Sequence, residues 1–210
     1  MKKIIIINNE VFVMCQQNYF VCLKNNKDPF IQWLLQTLGP VMLGKKPSEI
    51  LSFSREQSNT NEKLKKINSF FRCCKKLSYK VLSYGKKSIK VFFYHPGSLQ
   101  DVLTDPRNKR FLNNIGYPKS VNVQDYVLHM TKKIESGMIP DEIGIFLGYP
   151  LKDVLGFIGH PSLKLTKVKG WRIYGDTTIS EKRYDEFVKA KDYIKTLLSG
   201  GFIDQILSYA

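Results

Sequence analysis

The chain has 210 residues, 43% hydrophobic and 12% aromatic, enough apolar side chain for a sizeable core and too much for a disordered protein. Its net charge of +15 comes from 33 basic and 18 acidic residues and is uneven: residues 1–100 carry 17 basic and 5 acidic side chains, residues 101–210 carry 16 and 13. No apolar run reaches membrane-span length, and Cys15, Cys22, Cys73 and Cys74 show neither CxxC spacing nor a disulfide framework, which points to reduced thiols in a cytoplasmic protein.

At the amino end, the isoleucines of Ile4–Ile7 are broken by Asn8, Asn9 and Glu10, a strand or hairpin rather than a signal peptide. Residues 1–27 read as an extension to a single domain over 28–210. Asp28 and Pro29 fit an N-cap and first helical position; Phe30, Trp33, Leu34 and Leu38 form the stripe, which Gly39 and Pro40 are expected to end. Gly44, Lys45, Lys46 and Pro47 make a loop before a strand at 50–53. After a polar connection, Thr60 is expected to cap a helix with Leu64, Ile67, Phe70, Phe71, Cys74 and Leu77 on one face and lysines on the other. Residues 79–84 and 88–94 predict a hairpin that turns at Gly85, Lys86 and Lys87.

Helical periodicity then recurs at 99–103, 106–115 and 123–134, and together with residues 139–158 marks a helical subdomain spanning about 98–160. The sequence IPDEIGIFLGYPLKDVLGFI at 139–158 encodes two short helices around one turn. Pro140, Asp141 and Glu142 open the first, whose face is Ile143, Phe146 and Leu147; Gly148 ends it. Pro150 holds Tyr149 extended and restarts a helix expected to bury Leu151, Val154, Leu155 and Ile158. This spacing is helix-turn-helix-like, and it encodes packing rather than base contacts. Residues 159–170 read as a basic loop, 171–174 as a short strand, and Ser180 with Glu181 as the start of a long amphipathic helix to Leu198, with a helical turn after Gly200 and Gly201. The order predicts an α+β fold: a small, mainly antiparallel sheet of split βαβ, ferredoxin-like type with a helical insertion containing the helix-turn-helix-like unit.

Three blocks, LGPVMLGKKPSEILSF at 38–53, residues 139–158, and GWRIYGD at 170–176, together resemble the domain-of-unknown-function family 3793 of anaerobic bacteria. The likeness spans roughly residues 30–198 in the same order, and its GxKP loop and EIGxFLGYP core are uncommon combinations. The family has no established reaction, cofactor or partner, so the resemblance implies none. Its pattern commonly has a His-Cys pair where this chain has Thr37 and Leu38, a histidine where it has Asp141, and a cysteine where it has Lys169. Soft ligands are missing at those positions, and no metal or haem site carries over.

Few residues suggest chemistry. Gly44, Lys45, Lys46, Pro47 and Ser48 offer ammonium groups and a hydroxyl to a phosphate, or form a rigid turn, since Pro47 removes a backbone donor. His95 before Pro96 and Gly97 is a general base at a strand end or a turn residue; His129 reads as interior and His160 as a cap of the second 139–158 helix. Cys73 has basic neighbours, but the stripe turns Cys74 inward instead. The densest basic stretch is Lys63, Lys65, Lys66, Arg72, Lys75, Lys76, Lys80, Lys86, Lys87 and Lys90, either a solvated lysine face or a surface for polyanions or anionic membranes.

Two function classes follow. The first is a non-enzymatic binding or regulatory module for an acidic protein or nucleic acid, using the basic half; its weakness is a second helix offering only Lys152 beside Asp153. The second is an enzyme or ligand-binding domain for a small phosphorylated or acidic molecule, using Lys45, Lys46, His95 and Glu142. Convergence of Lys46, Glu142, Tyr149 and Trp171 on one concavity would define a site, and their dispersal or burial a scaffold.

Overall fold

The computed structural model describes residues 4–7, 10–13, 28–71, 76–84, 87–120, 122–136 and 139–209. All four cysteines, and Arg72, Lys75 and Lys86 of the basic stretch, lie outside them. Two strands, β1 (Ile4–Ile7) and β2 (Glu10–Val13), pair antiparallel as a hairpin.

The main sheet holds β3 (Ser48–Ser54), β4 (Ser78–Tyr84) and β5 (Ser88–Tyr94) in the order β3-β5-β4, every pair antiparallel. Central β5 explains the architecture, because Val91, Phe92, Phe93 and Tyr94 are all buried and so must be covered on both faces. Val91 and Phe93 join Leu51 and Phe53 of β3 under helices α1 (Pro29–Met42) and α2 (Thr60–Phe71) and the carboxyl half of the long helix α8 (Thr178–Ser199). Phe92 and Tyr94 join Leu82 under α3 (Pro96–Thr104), α4 (Pro106–Asn114), α5 (Val123–Glu135), α6 (Ile143–Phe146) and α7 (Leu151–Ile158). The fold is thus α+β with the sheet as its middle layer. A separate ladder pairs β6 (Leu165–Lys169) with β7 (Trp171–Tyr174), and a short helix, α9 (Ile203–Leu207), ends the described chain. Among the described residues no helix is long and apolar enough to cross a membrane.

Several elements differ from expectation for identifiable reasons. Helix α1 runs through Gly39 and Pro40 to Met42, with Asp28 capping the amides of Phe30 and Ile31 as anticipated. Gly39 admits α8 so closely that an added Cβ would stand 2.8 Å from Ile194 Cγ1, and buried Leu38, Val41 and Met42 hold the last turn despite the proline. Trp33 leaves the buried stripe and is 46% exposed, stacked on Phe30. Thr60 begins α2 rather than capping it, its hydroxyl donating to the Ser54 carbonyl. Part of the 159–170 loop is the strand β6, exposed along nearly its whole length and therefore without an apolar alternation to read. Its partner β7 stays outside the main sheet. Residues 139–158 hold two short helices, but the first begins only at Ile143, after Pro140, Asp141 and Glu142, and of its expected face Phe146 is buried while Ile143 and Leu147 are half-buried. In α7 Asp153, Val154 and Gly156 are buried, Leu151 and Leu155 half-buried and Ile158 47% exposed.

Candidate functional site

The Gly44–Pro47 turn is drawn tight because the amides of Lys45 and Lys46 both donate to the Pro40 carbonyl, each at 2.9 Å, and Gly44 takes a φ of 66°. This points Lys45 outward and Lys46 inward: Lys45 is exposed, Lys46 only 8% so. The Lys46 ammonium donates to Glu49 Oε2 at 2.8 Å and lies 5.4 Å from the ring centre of Phe187 and 5.9 Å from that of Tyr149. Pro47 packs on Gly148, which has a φ of 81° and where a Cβ would sit 2.5 Å from the proline Cδ. Next in line, Tyr149 stacks on Trp171 with ring centres 4.4 Å apart and planes 15° apart. The three motif blocks therefore meet in one place.

Beneath that stack lies a buried ionic knot. Asp153, 2% exposed, accepts hydrogen bonds from Trp171 Nε1 (2.8 Å), the Tyr174 amide (2.9 Å), Ser180 Oγ (2.6 Å) and Lys152 Nζ (2.6 Å). Lys152 Nζ also donates to the Tyr174 carbonyl at 2.8 Å and Ser180 Oγ at 2.9 Å. A carboxylate this deep is tolerable because every nearby donor converges on it. Ser180 lies in the first turn of α8, as expected, and also supplies that helix's contact to the knot.

Above the stack a cleft of about 540 Å³ opens to solvent. Gly44, Lys45 and Pro47 of the loop and residues 148–152 line it together with Ser98 and Asp101 of α3, Asp105 and Arg107 at the start of α4, and Ile179 and Arg183 of α8. Its ends are tied: Ser98 Oγ donates to the Gly44 carbonyl at 2.8 Å, and His95, the N-cap of α3, accepts the Ser98 amide on Nδ1 at 3.1 Å. Burial, with the Lys76 charge second, pushes the His95 imidazole below its usual range, so the neutral ring that caps the helix is favoured. His95 braces the wall, its Nδ1 committed. Arg107 pairs with Asp105 at 3.1 Å and Lys152 with Asp153 at 2.6 Å, whereas Lys45, Arg183 and Asp101 have no ion-pair partner among the described residues.

Glu142 stands apart from the cleft. It is 5% exposed and accepts from Tyr117 Oη at 2.9 Å and from Lys133 Nζ, fixing the entry to α6 against α5. Burial, then the Glu142 charge, drives the Tyr117 phenol well above its usual range, and His129 lies 4.4 Å from the Tyr117 ring. Of the candidate residues, Gly44, Lys45, Pro47 and Tyr149 line the cleft, whereas Lys46 and Trp171 are buried in the stack behind it and Glu142 is buried against Tyr117 and Lys133. Lys46, Glu142, Tyr149 and Trp171 therefore do not converge on one concavity and serve mainly as scaffold; of the set Lys45, Lys46, His95 and Glu142 only Lys45 lines the cleft.

The basic stretch is divided between the two faces of the sheet. Lys63 reaches Gln57, and Lys66 bonds Asp28 and Glu62, each at 2.8 Å, which raises its ammonium to about 12. Lys76 donates to the Ser208 carbonyl, Lys80 to Thr131 Oγ1 on the opposite face, and Lys90 to Ser52 Oγ, while Lys87 is exposed. Sequence reasoning missed Asp101, Arg183 and the depth of Asp153. The only available signal was the spacing of Arg183 between Ile179 and Phe187 on one helix face.

A family model described as "Protein of unknown function (DUF3793)" matches residues 34–207, a stretch that contains all three motif blocks. The chain belongs to this family. No curated protein and no solved structure matches it. The positions where the resemblance sets this chain apart fall on structural sites. Leu38 is buried in the core, Asp141 is exposed beside the α6 entry, and Lys169 pairs with Asp185 at 3.0 Å.

Proposed function

We propose that the protein is a binding module whose cleft takes a small phosphorylated or acidic molecule. One observation carries the reading: the two family loops, GKKP and GYP, close on each other through Pro47 and Gly148 and form a cleft whose wall holds Lys45 and Arg183, cations with no ion pair among the described residues. Its volume of about 540 Å³ suits a small ligand. The ring of Tyr149 and the side chains of Val102, Leu151 and Ile179 supply an apolar wall for a carbon skeleton.

The reading of an acidic protein or nucleic acid as partner is favoured by exposed lysines with no ion pair among the described residues, such as Lys65 on α2 and Lys189, Lys191 and Lys195 on α8. It is the weaker one, because Lys66, Lys80 and Lys152 are already engaged within the chain. The helix-turn-helix-like unit is then a scaffold that presents Tyr149 and Pro150 to the cleft. The strand order β3-β5-β4, with α2 linking the two outer strands, supports a three-stranded form of the split βαβ sheet. The four unframed cysteines support a cytoplasmic setting.

Isothermal titration of the full chain with phosphate, succinate and phosphorylated small acids tests the proposal. Saturable binding of at least one should weaken about tenfold in the Lys45→Met and Arg183→Met variants, the loss expected for a charge-assisted contact. Titrations that these two substitutions leave unchanged would reject the cleft as the site.

A further inference from the structure

We propose that the acid bound in this cleft also carries an ammonium group, so that the ligand is a small zwitterion; this rests on the cleft reading above. The wall holds three charges with no ion pair among the described residues, the cations Lys45 and Arg183 and the carboxylate of Asp101, whose charge otherwise acts on the His95 imidazole, a ring that burial keeps neutral. The other charges are neutralised locally, Asp105 by Arg107 at 3.1 Å and Lys152 by Asp153 at 2.6 Å. A site evolved for a plain polyanion has no use for an unbalanced carboxylate in its wall, since a like charge at close range repels the ligand.

The position of Asp101 gives the carboxylate a task. It lies one helical turn beyond Ser98 on α3, and Ser98 is bonded to Gly44 at 2.8 Å, so Asp101 stands at the end of the cleft formed by the lysine loop. Arg183 approaches from α8, on the face shared with Ile179 and Phe187, and Phe187 packs at Gly148. An acid group held by Lys45 and Arg183 shares the cleft with Asp101, and an ammonium on the same small ligand can satisfy that carboxylate. The unpaired set is complementary to an amino acid or a phosphorylated amine, and it disfavours dicarboxylates, simple phosphate esters and nucleic acid backbones.

Matched probes test this on the full chain by isothermal titration: succinate against L-aspartate, and ethyl phosphate against O-phosphoethanolamine. Within each pair the member bearing the ammonium should bind about three- to fivefold more tightly, the range of a solvent-accessible ion pair. In Asp101→Asn, an exposed position, that difference should vanish while succinate and ethyl phosphate bind at least as well as before. Equal binding within the pairs, preference for the probe without the amine, or a preference that survives Asp101→Asn overturns the zwitterion inference and leaves the cleft reading standing. No binding of any of the four probes removes both.

Discussion

Replacing Asp153 with asparagine keeps the volume of the side chain and removes one of its two acceptor oxygens. In the native chain Oδ2 accepts from Trp171 Nε1 and Ser180 Oγ, and Oδ1 accepts from the Tyr174 amide and Lys152 Nζ. Whichever way the amide is turned, its NH₂ faces two donors, and the Lys152 ammonium loses its counter-charge. The Ser180 hydroxyl can rotate to accept, so the less costly orientation leaves the Trp171 N–H opposed. An unsatisfied buried donor costs about 1–3 kcal/mol, and the uncompensated ammonium, 23% exposed, adds about 1 kcal/mol after solvent screening. We expect a loss of about 2–4 kcal/mol, which for a chain of this size lowers the thermal midpoint by roughly 5–15 °C. Urea unfolding followed by far-UV circular dichroism measures it, with Ser180→Ala as the milder companion at about 1 kcal/mol. A loss in Asp153→Asn below about 1 kcal/mol would mean that the knot does not join α7, β7 and α8, and the reasoning fails.

Two further outcomes follow from the same geometry. Gly148→Ala should destabilise by about 2–5 kcal/mol in urea titrations, combining left-handed backbone strain with the clash against Pro47; a near-neutral result would show that the two loops are not in contact. Both His95 and His129 are pushed below their usual range, chiefly by burial, so the folded state binds fewer protons than the unfolded chain just below pH 6.5. Their contribution is fully present above about pH 6.5 and is lost as pH falls through the lowered folded values, so the urea midpoint should be level from pH 7 to 8 and decline towards pH 5. His95→Asn, which keeps an N-cap acceptor without the titration, should flatten part of that decline, and an unchanged slope would contradict the assignment.

Local chemistry made much of the fold legible. Asp28-Pro29, the β-branched and aromatic run through Val91 to Tyr94, and the Gly148 and Pro150 punctuation are signals carried within a few residues, and each falls at the element expected of it. Contacts across the chain were hidden. Helix α1 survives Gly39 and Pro40 only because α8 arrives to pack there, and β6 escaped notice because its exposed residues need no apolar pattern. In the sequence Lys152 and Asp153 are only adjacent charges on the second 139–158 helix; in the fold Trp171, Tyr174 and Ser180 close over the carboxylate. The cleft was half visible: the sequence pointed to Gly44, Lys45, Pro47 and Tyr149, but Ser98, Asp101 and Arg183 complete it from helices whose periodicity says only which side faces inward.

The most direct measurement is a chemical-shift map of the isotopically labelled full chain titrated with O-phosphoethanolamine. Saturable shifts concentrated at Gly44, Lys45, Ser98, Gly148, Tyr149 and Arg183, with the indole of Trp171 following through its stack on Tyr149, are the predicted result. Shifts confined to the lysines of α2 and of the outer face of α8, with the cleft residues unmoved, would contradict the account and favour diffuse attraction of anions to a basic surface.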